Sequence, residues 1–184
     1  MAAAPPIPIR SAFVLGSTSE VAKAICQELA RRGCKRFHLV ARNVEANQQL
    51  AAELQQRFGA AVSTETTDLL ADAALEPARR PEVGEFDLYL ITAGSLGDAE
   101  LARSDAAEAL RILAANVGGL ILWLTAIATP ERLAKPGRLW VFSSVAADRG
   151  RPSNYHYGAA KAALTALCEG LLLRCHGKPF AVRI

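Results

Sequence analysis

Short apolar runs alternate along the chain with longer alanine-rich stretches whose apolar positions recur every three to four residues. The runs at residues 12–16, 37–41, 61–66, 86–92, 139–143 and 180–184 predict six strands. None shows strict apolar–polar alternation, which is the pattern of strands covered on both faces. The intervening stretches predict helices over residues 20–32, 44–58, 70–79, 105–129 and 154–176. Gly33, Gly59, Gly84 and Gly177 stand at or between their ends, where a helix stop or turn favours glycine. Such alternation persisting to the last residue predicts an α/β fold built on a parallel sheet. No repeat or linker divides it, so one domain is expected over residues 11–184, preceded by a flexible Ala- and Pro-rich arm at residues 1–10.

Composition narrows the class. With 184 residues, 51% hydrophobic and 21% charged, the chain is no disordered segment and is long enough for one well-buried core. A net charge of +3 without a basic run gives no reason to expect a nucleic-acid partner. Cys26, Cys34, Cys168 and Cys175 form no C-x-x-C pair, and His38, His156 and His176 are far apart in sequence, so no metal site is expected. The cysteines read as reduced, buried thiols. The start has no basic segment leading an apolar one, and the longest apolar run, residues 117–128, is short of the about 20 residues of a membrane span. A cytoplasmic protein with no membrane span is expected.

The first strand runs through Gly16, Ser17, Thr18, Ser19, Glu20 and Val21 into the first helix. A turn of this kind aims free backbone N–H groups and the positive end of a helix dipole at one point, which suits a pyrophosphate. Glycine permits close approach, hydroxyls add donors, and Ala22 is small enough for helix packing. Gly16 is alone of three fingerprint glycines, and the segment also reads as an ordinary strand–helix connection capped by Ser19. After the second strand stand Arg42 and Asn43, with no carboxylate before Glu45. A guanidinium there forks onto a 2′-phosphate, favouring NADP (NADPH) over NAD, unless Arg42 is a solvated loop charge.

Tyr157 and Lys161 are four residues apart, on one helix face. A phenol that acts as acid at neutral pH must lose stability from an ordinary pKa of about 10, and an ammonium about 4–5 Å away supplies about 4 kcal/mol at an effective dielectric of about 20. Ser144, at the end of the fifth strand, lies on the rim where parallel sheets bind ligands and is placed to hold a carbonyl oxygen. Neither Ser143 nor Ser144 lies in a Gly-x-Ser-x-Gly turn, so a serine hydrolase is not favoured.

Taken in chain order, the Gly16 turn, Asp68-Leu69, Ala93-Gly94, Asn116, Ser144, Tyr157 and Lys161 resemble the short-chain dehydrogenase/reductase family. The resemblance implies a Rossmann-type, doubly wound, three-layer α/β/α fold and hydride transfer between a nicotinamide cofactor and a carbonyl or alcohol. It implies Tyr157 as acid/base, Lys161 as its modulator and ribose ligand, Ser144 as the substrate-oxygen holder, and Asn116 as holder of a relay water. Asp68, beside Leu69, would bond the adenine, and Ala93 and Gly94 would pack the adenosine. Thr92 stands where the family has Asn. Gly16 to Glu20, Ser95 to Glu100 and Asp148 to Arg151 are similar to the decaprenylphosphoryl keto-pentose reductase branch, and Arg149 and Arg151 either attract a sugar- or lipid-linked ketone or are solvated loop charges. The family continues beyond the sixth strand with a substrate-covering segment and a seventh strand, neither of which is expected in residues 1–184. The alternative reading is therefore a truncated, catalytically weak NADP-binding module. The apolar helices 105–129 and 154–176 predict a homodimer.

Overall fold

The computed structural model describes residues 8–71 and 86–184. Its strands β1 (Ser11–Leu15), β2 (Arg36–Ala41), β3 (Ala61–Thr66), β4 (Leu88–Ile91), β5 (Gly137–Val141) and β6 (Phe180–Arg183) form one sheet in the order β3-β2-β1-β4-β5-β6. Every pair is parallel, with β1 in register between β2 and β4 (Phe13 beside His38 and Tyr89). The fold is the expected doubly wound α/β sheet.

Local chemistry sets the helix limits. Helix α1 (Glu20–Arg31) starts where the Ser19 side chain accepts the Ala22 amide at 3.1 Å. Helix α2 (Val44–Phe58) starts at Asn43, which accepts the Ala46 amide at 2.9 Å, and stops at Gly59 in the left-handed region. Alternate residues of the central strands feed two cores. Ala12, Val14, Leu88 and Leu90 face α1 and α2 with Leu29, Leu50 and Leu54. Phe13, Leu15, Tyr89 and Ile91 face the other layer, with Trp123 and Leu124 of α4 (Gly119–Ile127) and Leu164 and Cys168 of α6 (Tyr155–Arg174). Phe13, Phe37 and Leu39 are wholly buried, each contributing about 1.5–3 kcal/mol of transfer free energy. His38 is buried on β2, stacked on Phe13, and bridges to β3 through Ser63 at 2.8 Å and Glu65 at 3.2 Å.

Several expectations need correction. The single helix expected over residues 105–129 is α3 (Ala106–Leu113), a π turn (Ala114–Gly118) and α4, followed by a separate turn α5 (Pro130–Leu133) that begins at Pro130 with Thr129 as cap. Proline at the first helical position costs no hydrogen bond, so Pro130 is suited to start a helical turn. Of the helix expected over 70–79, Leu70 and Ala71 lie in a turn and a bend, and the rest is outside the described residues. Ile9 and Arg10, expected in the arm, belong to the packed domain. Ile9 packs on the α1–α2 core and the Arg10 amide donates to Asp87 at 2.8 Å. Helix continuity also lengthens the apolar stretch: Ala106–Ile127 has the length and a mean hydropathy of 1.8 that would suit a membrane crossing, but half of it is buried within the protein.

Candidate active site

The strand order reverses between β1 and β4, and a crevice opens at their carboxyl ends, where sheets of this topology bind ligands. Gly16 makes the crevice possible. Its φ is +89°, and a Cβ there would lie 2.4 Å from the Ala93 nitrogen. The β1–α1 turn is thus pressed onto the end of β4, where the Thr92 and Ala93 amides both donate to the Leu15 carbonyl at 2.9 and 3.1 Å. Thr92 reinforces the junction by donating its hydroxyl to the Gly16 carbonyl at 2.9 Å. The resulting cavity of about 510 Å³ is lined by Gly16, Thr18, Ser19, Arg42, Asn43, Asp68, Leu69, Ala93 and Gly94 among others.

Nine of the expected cofactor-binding residues therefore meet around one space, and five do not line it: Ser17, Glu20 and Val21 of the first turn, and Tyr157 and Lys161 of α6. Ser17 is fully buried and donates to Asn47 Oδ1 at 2.7 Å, locking the turn to α2 instead of offering a hydroxyl to the cavity. Asn47 lies on the apolar stripe of α2 with Leu50, Ala51 and Leu54, and a polar residue on that stripe is the signal for an internal partner. Glu20 points to solvent and pairs with Lys23 at 2.8 Å, which removes its carboxylate from the cradle. The Val21 side chain is exposed. Among the described residues the amides of Thr18, Glu20 and Val21 have no hydrogen-bond partner, so the helix start presents free donors suited to an anion. The small Gly16 approach, these amides, and a guanidinium and a carboxylate on the cavity wall fit a dinucleotide.

Lys161, Asn116, Ser144 and Tyr157 stand beside the cavity without lining it. Lys161 is only 4% exposed, and its Nζ donates to the Phe142 carbonyl at 3.1 Å and lies 5.8 Å from the Tyr157 ring centre. Burial pushes its pKa below the usual lysine range. Ser143, donating to the Lys161 carbonyl at 3.3 Å and paired with Thr165 at 2.6 Å, fixes the lysine's backbone to the end of β5. Asn116 sits inside the π turn, fully buried, and its side chain brackets Ser95: Nδ2 donates to the Ser95 carbonyl at 2.6 Å and Oδ1 accepts the Ser95 amide at 3.1 Å. A Cβ on Gly94 would lie 2.6 Å from Asn116 Oδ1 and 3.1 Å from Lys161 Nζ, so both side chains converge on that glycine. The Ser144 hydroxyl accepts the Ala146 amide at 3.1 Å, while the Tyr157 hydroxyl has no hydrogen-bond partner among the described residues. Gly158 lets α6 approach the Ala146 carbonyl, to which a Cβ would come within 2.7 Å, and this contact draws Tyr157 toward the Ser144 turn. Sequence reasoning missed Thr92, Ser95 and Ser143 as supports because hydroxyls in loops carry no periodicity.

A parallel sheet in this order, with a glycine-tight first turn opening onto a crevice at the reversal, defines a dinucleotide-binding α/β protein. The sequence matches the short chain dehydrogenase family over residues 10–184, and the chain belongs to that family. It is 34% identical over 167 residues to an uncharacterized oxidoreductase of Mycobacterium tuberculosis, covering 89% of this chain and 66% of that protein. An uncharacterized oxidoreductase of Streptomyces coelicolor is 33% identical over 166 residues, with the same coverage. The chain thus spans 66% of the length of these relatives. Among solved structures, a short-chain dehydrogenase from Sphingobium yanoikuyae in complex with NADPH superposes with a TM-score of 0.83 at 24% identity, covering 94% of this chain and 68% of that one. The bulky-bulky ketone specific alcohol dehydrogenase from Comamonas testosteroni gives 0.83 at 22% identity, covering 95% and 70%.

Proposed function

We propose that the chain is the cofactor-binding and catalytic core of an NADPH-dependent oxidoreductase acting on a carbonyl or alcohol, with Ser144, Tyr157, Lys161 and Asn116 as its catalytic set. The observation that carries the reading is a buried ammonium with no carboxylate partner among the described residues, held one helical turn from a tyrosine and facing the glycine wall of the cavity. The nicotinamide cofactor supplies or accepts the hydride when bound. Tyr157 donates a proton to the substrate oxygen in reduction and withdraws one in oxidation. The Lys161 ammonium, 5.8 Å from the Tyr157 ring centre, favours the phenolate by Coulomb attraction. Ser144 orients the substrate oxygen, Asn116 holds the water from which Lys161 is reprotonated, and Lys161 also binds the nicotinamide ribose.

Thr18, Ser19 and the free amides of Glu20 and Val21 would hold the pyrophosphate. Asp68 and Leu69 would take the adenine, and Ala93 and Gly94 would pack the adenosine. Arg42, exposed on the cavity wall beside Asn43, would fork onto a 2′-phosphate and set the preference for NADP. Exposed Leu96, Leu101 and Val145, with Arg149 and Arg151 nearby in the chain, support an amphiphilic ketone such as a sugar- or lipid-linked one. Leu110 and Ile121 on α3 and α4, and Leu172 and Leu173 on α6, are exposed and support a homodimer. The four free thiols suit a cytoplasmic setting.

Replacing Tyr157 with Phe is expected to abolish ketone reduction while NADPH affinity stays within about threefold, and retained turnover would overturn the assignment. Loss of Arg42 to Ala should weaken NADPH tenfold to a hundredfold, about 1.5–3 kcal/mol, and leave NADH unchanged. A second reading, an NADP-binding module of weak activity, is favoured by a cavity whose lining omits Ser144, Tyr157 and Lys161. NADPH binding without turnover across a ketone screen would select it.

A further inference from the structure

The segment that leaves β4 is held against α3 and the π turn at two points. At the first, Asn116 brackets the Ser95 backbone and also donates to the Ile112 carbonyl at 2.8 Å. At the second, three residues on, the Asp98 amide donates to Glu108 Oε1 at 2.8 Å. Glu108 is itself gripped by Arg111, whose Nε donates to Oε2 at 2.5 Å and whose Nη2 donates to Oε1 at 2.7 Å. An i,i+3 ion pair on a helix is ordinarily a solvated ornament of little energetic consequence. This one differs in that the carboxylate is 8% exposed and accepts a backbone amide ten residues away. Between the two points the segment has no slack. Gly97 has φ +70°, and a Cβ there would lie 2.3 Å from Ile112 Cγ1 and 2.9 Å from Glu108 Oε1. Upstream, Gly94 backs directly onto Lys161.

We propose that Glu108 is a positioning residue for Lys161: its carboxylate, fixed by Arg111, anchors the Asp98 amide and so holds Gly94 as the stop against which the Lys161 ammonium rests. The inference rests on the role of Lys161 argued above. Glu108 touches neither the cavity lining nor the tyrosine and acts through the Gly94–Asp98 segment alone. Its carboxylate is held down to about 2 by Arg111 and the Asp98 amide, so the anchor is charged throughout the working range.

The test compares Glu108→Ala and Glu108→Gln in the full chain. Gln keeps an oxygen for the Asp98 amide, whereas Ala removes the anchor. For Glu108→Ala, kcat is expected to fall about ten- to a hundredfold, the loss typical of a displaced catalytic group, with KM for the ketone changed less than about threefold. The acid limb of the pH–rate profile should move by about one unit. Glu108→Gln should stay within about threefold of wild type. Two readouts do not need turnover. Hydrogen exchange should show the Asp98 and Ser95 amides opening together in Glu108→Ala, and NMR titration should return Lys161 toward the ordinary lysine range. Equal losses in the Ala and Gln variants would overturn the proposal. So would an Asp98 amide that opens while Ser95 protection and the Lys161 titration stay as in wild type. Absence of turnover in wild type, or undiminished turnover in Tyr157→Phe, would instead refute the proposed function, with exchange and titration still deciding the positioning role.

Discussion

The closest contact in the crevice lends itself to a quantitative test. Gly16→Ala adds one methyl group at a residue with φ +89°, a region that costs an L-residue about 1–2 kcal/mol. That methyl would lie 2.4, 2.6 and 2.9 Å from Ala93 N, Ala93 Cα and Thr92 C, all backbone atoms that cannot rotate aside. Relief requires about 1 Å of separation between the turn and β4, since carbon contacts are comfortable at about 3.5 Å. Such a shift breaks the bonds from the Thr92 and Ala93 amides to Leu15, each worth about 0.5–1.5 kcal/mol. The combined loss is about 2–5 kcal/mol, which for a chain of this size lowers Tm by roughly 4–20 °C. Gly177→Ala provides the control. Its φ is +75° but nothing lies within 4 Å of the added methyl, so it should lose only the conformational part. Thermal unfolding followed by circular dichroism, with NADPH fluorescence titration of both variants, measures the difference. Equal destabilisation by the two substitutions, or unaltered NADPH affinity in Gly16→Ala, would refute the account of the turn.

Two further outcomes are expected. Lys161 has its folded-state pKa lowered by burial, so the charged lysine penalises the fold below that value and the penalty is relieved as pH rises toward the unfolded value of about 10.4. In denaturant unfolding, Lys161→Met should therefore be at least as stable as wild type at pH 7, with its advantage shrinking by pH 10; a variant clearly less stable at pH 7 would contradict this. Burial pushes Cys26 up to about 12, and Cys34 and Cys168 to about 11, so a disulfide reagent at pH 8 should label the native protein slowly and reach four thiols only after unfolding. Rapid native labelling of these three would show that the α1 and α6 packing opens readily.

Periodicity and caps made most of the architecture legible in the sequence. Helix α2 and strand β3 fall on the expected residues because Asn43 caps the start of the helix and Gly59, in the left-handed region, ends it just before the strand. The crevice was legible too, since Gly16, Arg42, Asp68 and Gly94 each follow a strand end, and a parallel sheet brings those ends together. Orientation within turns was not. Ser17 and Ser19 are two residues apart, yet one is sealed against Asn47 and the other caps a helix at the cavity edge, a distinction made by tertiary packing. Glu108 was invisible for a related reason: Glu and Arg at i,i+3 read alike whether the pair lies in solvent or grips a neighbouring loop.

The π turn at Ala114–Gly118 makes the placement of Asn116 a matter of counting as well as chemistry. One surplus residue is accommodated there, and each residue of an α-helix turns the chain by about 100°. Losing a single codon within the turn would let α3 and α4 fuse into a regular helix and swing the amide of residue 116 away from Ser95, with the apolar faces on either side still able to find the sheet. Heredity would then see an intact fold whose segment after β4 has lost its Asn116 bracket, from a change that no comparison of residue types would flag.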